Sequence, residues 1–122
     1  MATKYLIRFL QTLSTITFLF IVPQTSSAQT IVSTPSATIT NLVGGWGAPD
    51  MFVQLSGQTG TSITNPGGCT GTDGYEIAGS DSYAQLFSSM LLTAYAGQLN
   101  IQLVISGCYG NRPHVIGLSL HR

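Results

Sequence analysis

The chain has 122 residues, 43% of them apolar and only 7% charged, with four acids against four Lys and Arg. That is room for one domain with a modest core. Four basic residues are too few to displace the counterions of a phosphate backbone or to hold an anionic membrane surface, which excludes nucleic acid as a partner.

Residues 1–28 are set apart from the fold. Lys4 and Arg8 form a positive n-region, residues 9–22 an apolar run diluted by Gln, Thr and Ser, and Ser26, Ser27 and Ala28 supply small residues for cleavage. The pattern predicts a secretory signal peptide, a mature chain starting near Gln29 and a secreted or periplasmic protein. The run is too short and polar for a convincing membrane span, and no later stretch is long enough for one, so no integral membrane segment is expected after cleavage. All four acids, Asp50, Asp73, Glu76 and Asp81, then stand beside only Arg112 and Arg122, which makes the mature chain slightly acidic.

About 94 residues remain, few enough for a covalent staple to matter. Cys69 and Cys108 are the only cysteines, and export makes a disulfide between them the expected state. In the chain-entropy model, closing a loop of about 40 residues contributes up to ~4 kcal/mol. Their separation lacks the paired spacing of metal sites. No metal or cofactor is expected.

Residues 29–36, Ser/Thr-rich with Pro35 and without a clear period, predict a flexible lead-in, and residues 37–122 a single binding domain. Residues 37–44 predict a strand in which Ile39 and Leu42 bracket Thr40 and Asn41 imperfectly. The Gly44-Gly45-Trp46-Gly47-Ala48-Pro49-Asp50 turn signal leads to a second strand over 51–56, with Met51, Val53 and Leu55 on one face. Residues 57–74 predict a long glycine-rich loop, and residues 75–78 a short third strand. After the helix described next, residues 100–106 alternate Ile101, Leu103 and Ile105 with polar or smaller residues as a fourth strand. A connection over 107–113 leads to a fifth strand over 114–121, with Ile116, Leu118 and Leu120 facing one way.

Residues 82–97 form the longest periodic segment. Tyr83, Leu86, Phe87, Met90, Leu91, Ala94 and Tyr95 make one apolar stripe. Ser82 and Gln85 suit a capping box, Asp81 the positive end of the dipole, and Gly97 the left-handed terminating position. The opposite face, Gln85, Ser88, Ser89, Leu92, Thr93 and Ala96, carries no charge, unlike an ordinary solvated helix face. Two readings stand: a mostly buried helix, or a small-residue surface (Ser88, Ser89, Leu92, Thr93, Ala96) that packs against copies of itself.

The order strand, strand, strand, helix, strand, strand matches a mainly β, five-stranded barrel of the oligonucleotide/oligosaccharide-binding (OB) type. The alternative is a helix lying on an open antiparallel sheet. The barrel would bring together the loops between strands 1 and 2 and strands 4 and 5, which hold Trp46, Asp50, Tyr109, Asn111, Arg112 and His114. Aromatic rings stack on sugars, amides read hydroxyls, and Arg112 suits a carboxylate such as that of a sialic acid. The bland reading is that these residues cap the barrel end and turn the chain.

The run from Tyr83 through Gln98 into Ile101 to Ile105, a Tyr-containing amphipathic helix ending in Ala-Tyr-Ala-Gly-Gln and passing directly into a strand, resembles the binding subunits of bacterial AB5 toxins, in particular the subtilase cytotoxin and typhoid toxin group. The resemblance covers about half of the mature chain. It implies a non-enzymatic barrel that forms a homopentameric ring with its helices along the pore and binds cell-surface glycans, beside a separate A subunit that supplies the enzyme. The single disulfide, the glycine-rich loop and the low charge depart from that group, and no glycan-contacting position transfers residue by residue. The runner-up is a small interaction protein of the same fold that binds a protein partner without forming a ring. An enzyme lacks the Gly-x-Ser-x-Gly and His-Glu-x-x-His signatures; it would call for His114, Asp50 and a hydroxyl held together.

Overall fold

The structure is a computed structural model that describes residues 28–45 and 49–122. The expected signal peptide, apart from Ala28, and Trp46 lie outside the described residues. In chain order the elements are β1 (Ile31–Ser33), β2 (Ile39–Gly44), β3 (Met51–Leu55), a 3-10 turn (Gly60–Ser62), β4 (Tyr75–Ile77), α1 (Ala84–Gly97), β5 (Asn100–Tyr109) and β6 (Arg112–His121). The strands form one six-stranded mixed sheet in the order β1-β5-β6-β4-β3-β2. Every pairing is antiparallel except β4 with β6, where Glu76 lies opposite His114.

This open sheet replaces the expected closed five-stranded barrel, and its order differs by a strand at the start. β1 lies inside the stretch read as a flexible lead-in, where Ile31, Val32 and Ser33 pair with Ser106, Ile105 and Val104. All three residues are exposed, so no apolar period marked them. What holds the segment is polar. Thr34, 1% exposed, donates its backbone N–H to Leu103 O at 2.8 Å and accepts from the Leu103 amide through Oγ1 at 3.0 Å. Pro35, which has no N–H, separates β1 from β2, and pairing resumes only at Ala37 opposite Ile101.

The core is the inward phase of five strands, β2 to β6, closed by one helix face. Ile39, Val53, Leu55, Tyr75, Ile77, Ile101, Leu103, Ile105 and Val115 pack with Ala84, Phe87, Leu91 and Ala94. Bulges account for the irregular spacings. Ile39 pairs with Leu55 but Asn41 with Gln54, so Thr40 is an extra residue and both Ile39 and Leu42 turn inward. In β6, Val104 pairs with Gly117 while Ile105 pairs with Val115, which leaves Ile116 as the extra residue. The phase therefore shifts mid-strand. Val115 is fully buried ahead of the bulge, Leu118 packs on the core after it, and Leu120 is exposed, in place of a uniform Ile116, Leu118, Leu120 face.

A second irregularity, between Ile105 and Cys108, admits Gly107 at φ 62. It lets β5 run on to Tyr109. The expected connection over 107–113 is therefore mostly strand, and a tight Gly110-Asn111 turn joins two strands of ten residues each, with Gly110 at φ 58.

The helix starts two residues later than its period suggested and without the expected capping box. Tyr83 is the N-cap residue and no side chain caps the end. At the other end Gln98, not Gly97, takes the left-handed conformation at φ 51, and the Gln98 and Leu99 amides bond back to Tyr95 O and Ala94 O. The buried stripe is Ala84, Phe87, Leu91 and Ala94, narrower than predicted, since Leu86 is 61% and Tyr95 44% exposed.

The loop over 57–74 is tied down at many points. Tyr75 Oη donates to Gln58 Oε1 at 2.6 Å and accepts from the Thr64 amide at 3.1 Å. Asn65 binds the Cys69 amide and carbonyl through its side chain, each at 2.8 Å. The Cys69–Cys108 disulfide is formed, joining the loop to β5 with a Cα–Cα distance of 5.8 Å. The Gly71 amide bonds to Asn111 O at the hairpin turn.

Candidate functional site

The outward phase of β2, β3, β4 and β6 builds a cleft. Asn41 stands opposite Gln54, Val43 opposite Phe52, Phe52 opposite Glu76, and Glu76 beside His114, so the pairing register alone sets these side chains in rows across one face. The cleft has a volume of about 450 Å³ and is lined by Asn41, Val43, Phe52, Gln54, Glu76 and Arg112, with Gly44, Asp50 and Asp73 completing it. That is the lower range of small-ligand sites.

Arg112 organises the floor. Its Nε and Nη2 donate to the two oxygens of Asp73 at 2.8 and 2.9 Å, a bidentate pair that joins β6 to the end of the glycine-rich loop. Its Nη1 reaches Glu76 Oε2 at 3.4 Å, and its guanidinium carbon lies 4.8 Å from the centroid of the Phe52 ring. Gln54 fixes the same loop, its Nε2 donating to Asp73 O at 2.7 Å. The Arg112 hydrogen bond holds the Asp73 carboxyl below its ordinary range. Burial raises that of Glu76, against the pull of Arg112 and with help from the charges of Asp50 and Asp73. Two carboxylates on one guanidinium are thus pushed in opposite directions, because Asp73 is solvated and well bonded while Glu76 is half-buried and weakly bonded.

A second polar cluster adjoins the cleft. Asp50 Oδ1 accepts from the Gly79 amide at 2.8 Å and from the Tyr109 hydroxyl at 3.2 Å. The hydrogen bond to Asp50 raises the Tyr109 pKa. His114 Nε2 lies 2.7 Å from Asp81 Oδ2, and its ring stacks at a tilt beside Tyr109 with centroids 5.7 Å apart. Asp81, expected at the helix dipole, instead ties the start of the helical region to β6. His114 and Asp50 therefore have different partners, and the hydroxyl nearest Asp50 is that of Tyr109.

Of the residues singled out from sequence, the structure brings Asp50, Tyr109, Arg112 and His114 to one region. Asn111 sits at the exposed hairpin turn, outside the cleft lining, with its carbonyl accepting from Gly71. Trp46 lies outside the described residues. Sequence reasoning passed over Asn41, Val43, Phe52, Gln54, Asp73 and Glu76. The available signal was phase: once Met51, Val53 and Leu55 are assigned inward, Phe52 is an aromatic on the outward face, flanked by Gln54.

The helix face expected at an oligomer interface is largely exposed. Leu92 is 57% exposed, and Ser89, Thr93 and Ala96 are exposed too. Ser89 and Thr93 turn their hydroxyls back to Gln85 O and Ser89 O. Ser88 is half-buried, bonded to Ala84 O at 2.8 Å beside the Met51 sulfur. With Leu86 and Tyr95, the helix presents an uncharged and partly apolar surface. It is not the mostly buried helix of the first reading. Among the described residues no helix is long and apolar enough to cross a membrane.

Comparison of the chain with protein-family models, with curated proteins and with solved structures returned no match.

Proposed function

We propose that the protein is an extracytoplasmic, non-enzymatic binding subunit that recognises a glycan in the Asn41–Glu76–Arg112 cleft and assembles with copies of itself, in the manner of the toxin binding subunits its helix-to-strand sequence resembles. The observation that carries the reading is the composition of the cleft. Carboxylates, primary amides, a guanidinium and one aromatic ring are the groups that read sugar hydroxyls, and the strands that carry Asn41, Phe52, Gln54, Glu76 and Arg112 hold them without a large ordering cost on binding. The disulfide supports an oxidising compartment. The uncharged surface of α1, with its hydroxyls satisfied inside the helix, supports close packing against a sister helix.

The test is glycan-array binding of the mature protein, with Asn41→Ala and Gln54→Ala as cleft variants, alongside its mass in solution by light scattering. Glycan binding lost in both variants, together with a mass near five protomers, is expected. An array without binding sinks the glycan reading. A clean monomer sinks the ring, and Leu92→Glu reports whether an observed assembly uses α1.

A further inference from the structure

The cleft has an imbalance that narrows what it can hold. Among the described residues, Asp50 spends Oδ1 on Gly79 and Tyr109 and has no partner at Oδ2. Glu76 offers only Oε2 to Arg112, at a long 3.4 Å, and leaves Oε1 without a partner. Gln54 gives its amide hydrogen to the Asp73 carbonyl, so its Oε1 is left as an acceptor. The donors are fewer. Arg112, the one cation of the lining, is held by both Asp73 oxygens and laid over Phe52. A ligand carboxylate would have to compete with Asp73 for that guanidinium while facing Asp50 and Glu76 at close range. The role first read for Arg112, pairing with an acidic sugar, is filled by the protein's own side chain.

We propose that the cleft selects a non-acidic saccharide bearing a free amine, whose ammonium meets the carboxylates of Asp50 and Glu76 while its hydroxyls donate to Gln54 and Asn41. This rests on the glycan reading above and specifies its ligand class. An ammonium between the two carboxylates supplies the counter-charge that Arg112, spent on Asp73, does not. It would also relieve Glu76, whose carboxyl burial and like charges now push toward the protonated form. A hydroxyl in place of the amine satisfies the same acceptors without the charge.

Isothermal titration at mildly acidic pH with a glucosamine tetramer, its fully N-acetylated counterpart, sialyllactose and tetralysine decides the matter. The amine sugar is expected to bind about fivefold or more tightly than the acetylated one, the scale of an incompletely desolvated ion pair, and sialyllactose least. Asp50→Asn combined with Glu76→Gln, both close in shape to the native residues, removes the preference for the amine; Asn41→Ala weakens both sugars alike. If the acetylated sugar or sialyllactose binds as tightly as the amine sugar, the selectivity is overturned and the glycan reading stands. If tetralysine matches the amine sugar, the site responds to charge alone and the saccharide claim is overturned. If no sugar binds here or on the array, both fall together.

Discussion

Tyr75 and Gln58, seventeen residues apart in the chain, form the buried polar contact that anchors the glycine-rich loop to the sheet, hydroxyl to amide oxygen at 2.6 Å. Tyr75 is fully buried and Gln58 4% exposed, and the Gln58 amide goes on to the Pro35 carbonyl at 2.9 Å. One chain of bonds thus links β4, the loop and the segment between β1 and β2. Tyr75→Phe strands Gln58 Oε1 and the Thr64 amide without their partner, and is expected to lower stability by ~1–3 kcal/mol in urea unfolding. Gln58→Leu is expected to cost a similar amount, and the double variant less than the two together. Strict additivity would show that the two residues do not act as a pair.

The disulfide holds the Asp73-bearing wall of the cleft as well as the fold. Replacing Cys69 and Cys108 together by Ser is expected to lower stability by ~2–4 kcal/mol. It should also speed limited proteolysis within residues 57–74, with cleavage sites read by mass spectrometry. Unchanged proteolysis would mean that Asn65, Gln58 and Arg112 hold the loop without it.

The two carboxylates around Arg112 are expected to give opposite pH signatures. The Asp73 carboxyl is held below its ordinary value by Arg112, so its contribution to stability is present above that ordinary value and lost as pH falls through the lower folded one. The Glu76 carboxyl is raised above 4.5 by burial, so its charged form costs stability at neutral pH, a cost that disappears as the native state takes up the proton. Asp73→Asn should therefore destabilise at neutral pH and be silent in strong acid. Glu76→Gln should stabilise at neutral pH, with the gain shrinking as pH drops below the folded value. Thermal unfolding across pH checks both, and a Glu76→Gln variant less stable than the parent at pH 7 would refute the burial argument. A residue whose removal stabilises the fold is a reasonable mark of a site kept for binding.

Tyrosines set the alkaline limit. Tyr75 is raised above 10.0 by burial and Tyr109 by its hydrogen bond to Asp50, while desolvation, the Asp81 hydrogen bond and the Asp81 charge push Tyr83 up to about 12. In the unfolded chain these phenols lose protons near 10.0 while the folded protein retains them, so the native state binds more protons and stability falls as pH rises from 10 toward 12. Ultraviolet titration of tyrosinate should show these groups ionising late and together with unfolding. Independent early ionisation of all of them would contradict the burial seen here.

How far the fold was legible follows from what each segment uses for stability. β3 and the part of β5 up to Ile105 carry unbroken alternation, and their inward residues were correctly placed from sequence. β1 is held by backbone pairing and by Thr34, neither of which leaves an apolar pattern, so it escaped notice, and with it went the distinction between a closed barrel and an open sheet. In β6 the bulge at Ile116 broke the alternation that assigned its faces. The disulfide was legible from two cysteines behind an expected export signal. The cleft was half visible: Asp50, Tyr109, Arg112 and His114 drew attention as polar or aromatic residues near turns, whereas Asp73 and Glu76 enter only because the parallel β4–β6 pairing and the loop bring them to Arg112. That contact spans 39 residues of sequence and has no local signature.

The tight Gly110-Asn111 turn also orders events in time. It joins the two longest strands among the described residues, so the β5–β6 hairpin closes through neighbouring residues and can form on the scale of ~1–10 μs. The parallel docking of β4 on β6 closes over α1 and β5, which lie between them in the chain, a far larger closure. The hairpin is therefore expected to form ahead of the cleft, which straddles β4 and β6 and waits on that larger closure. Until β4 docks, the edge of β6 that it covers is unpaired and open to wrong partners.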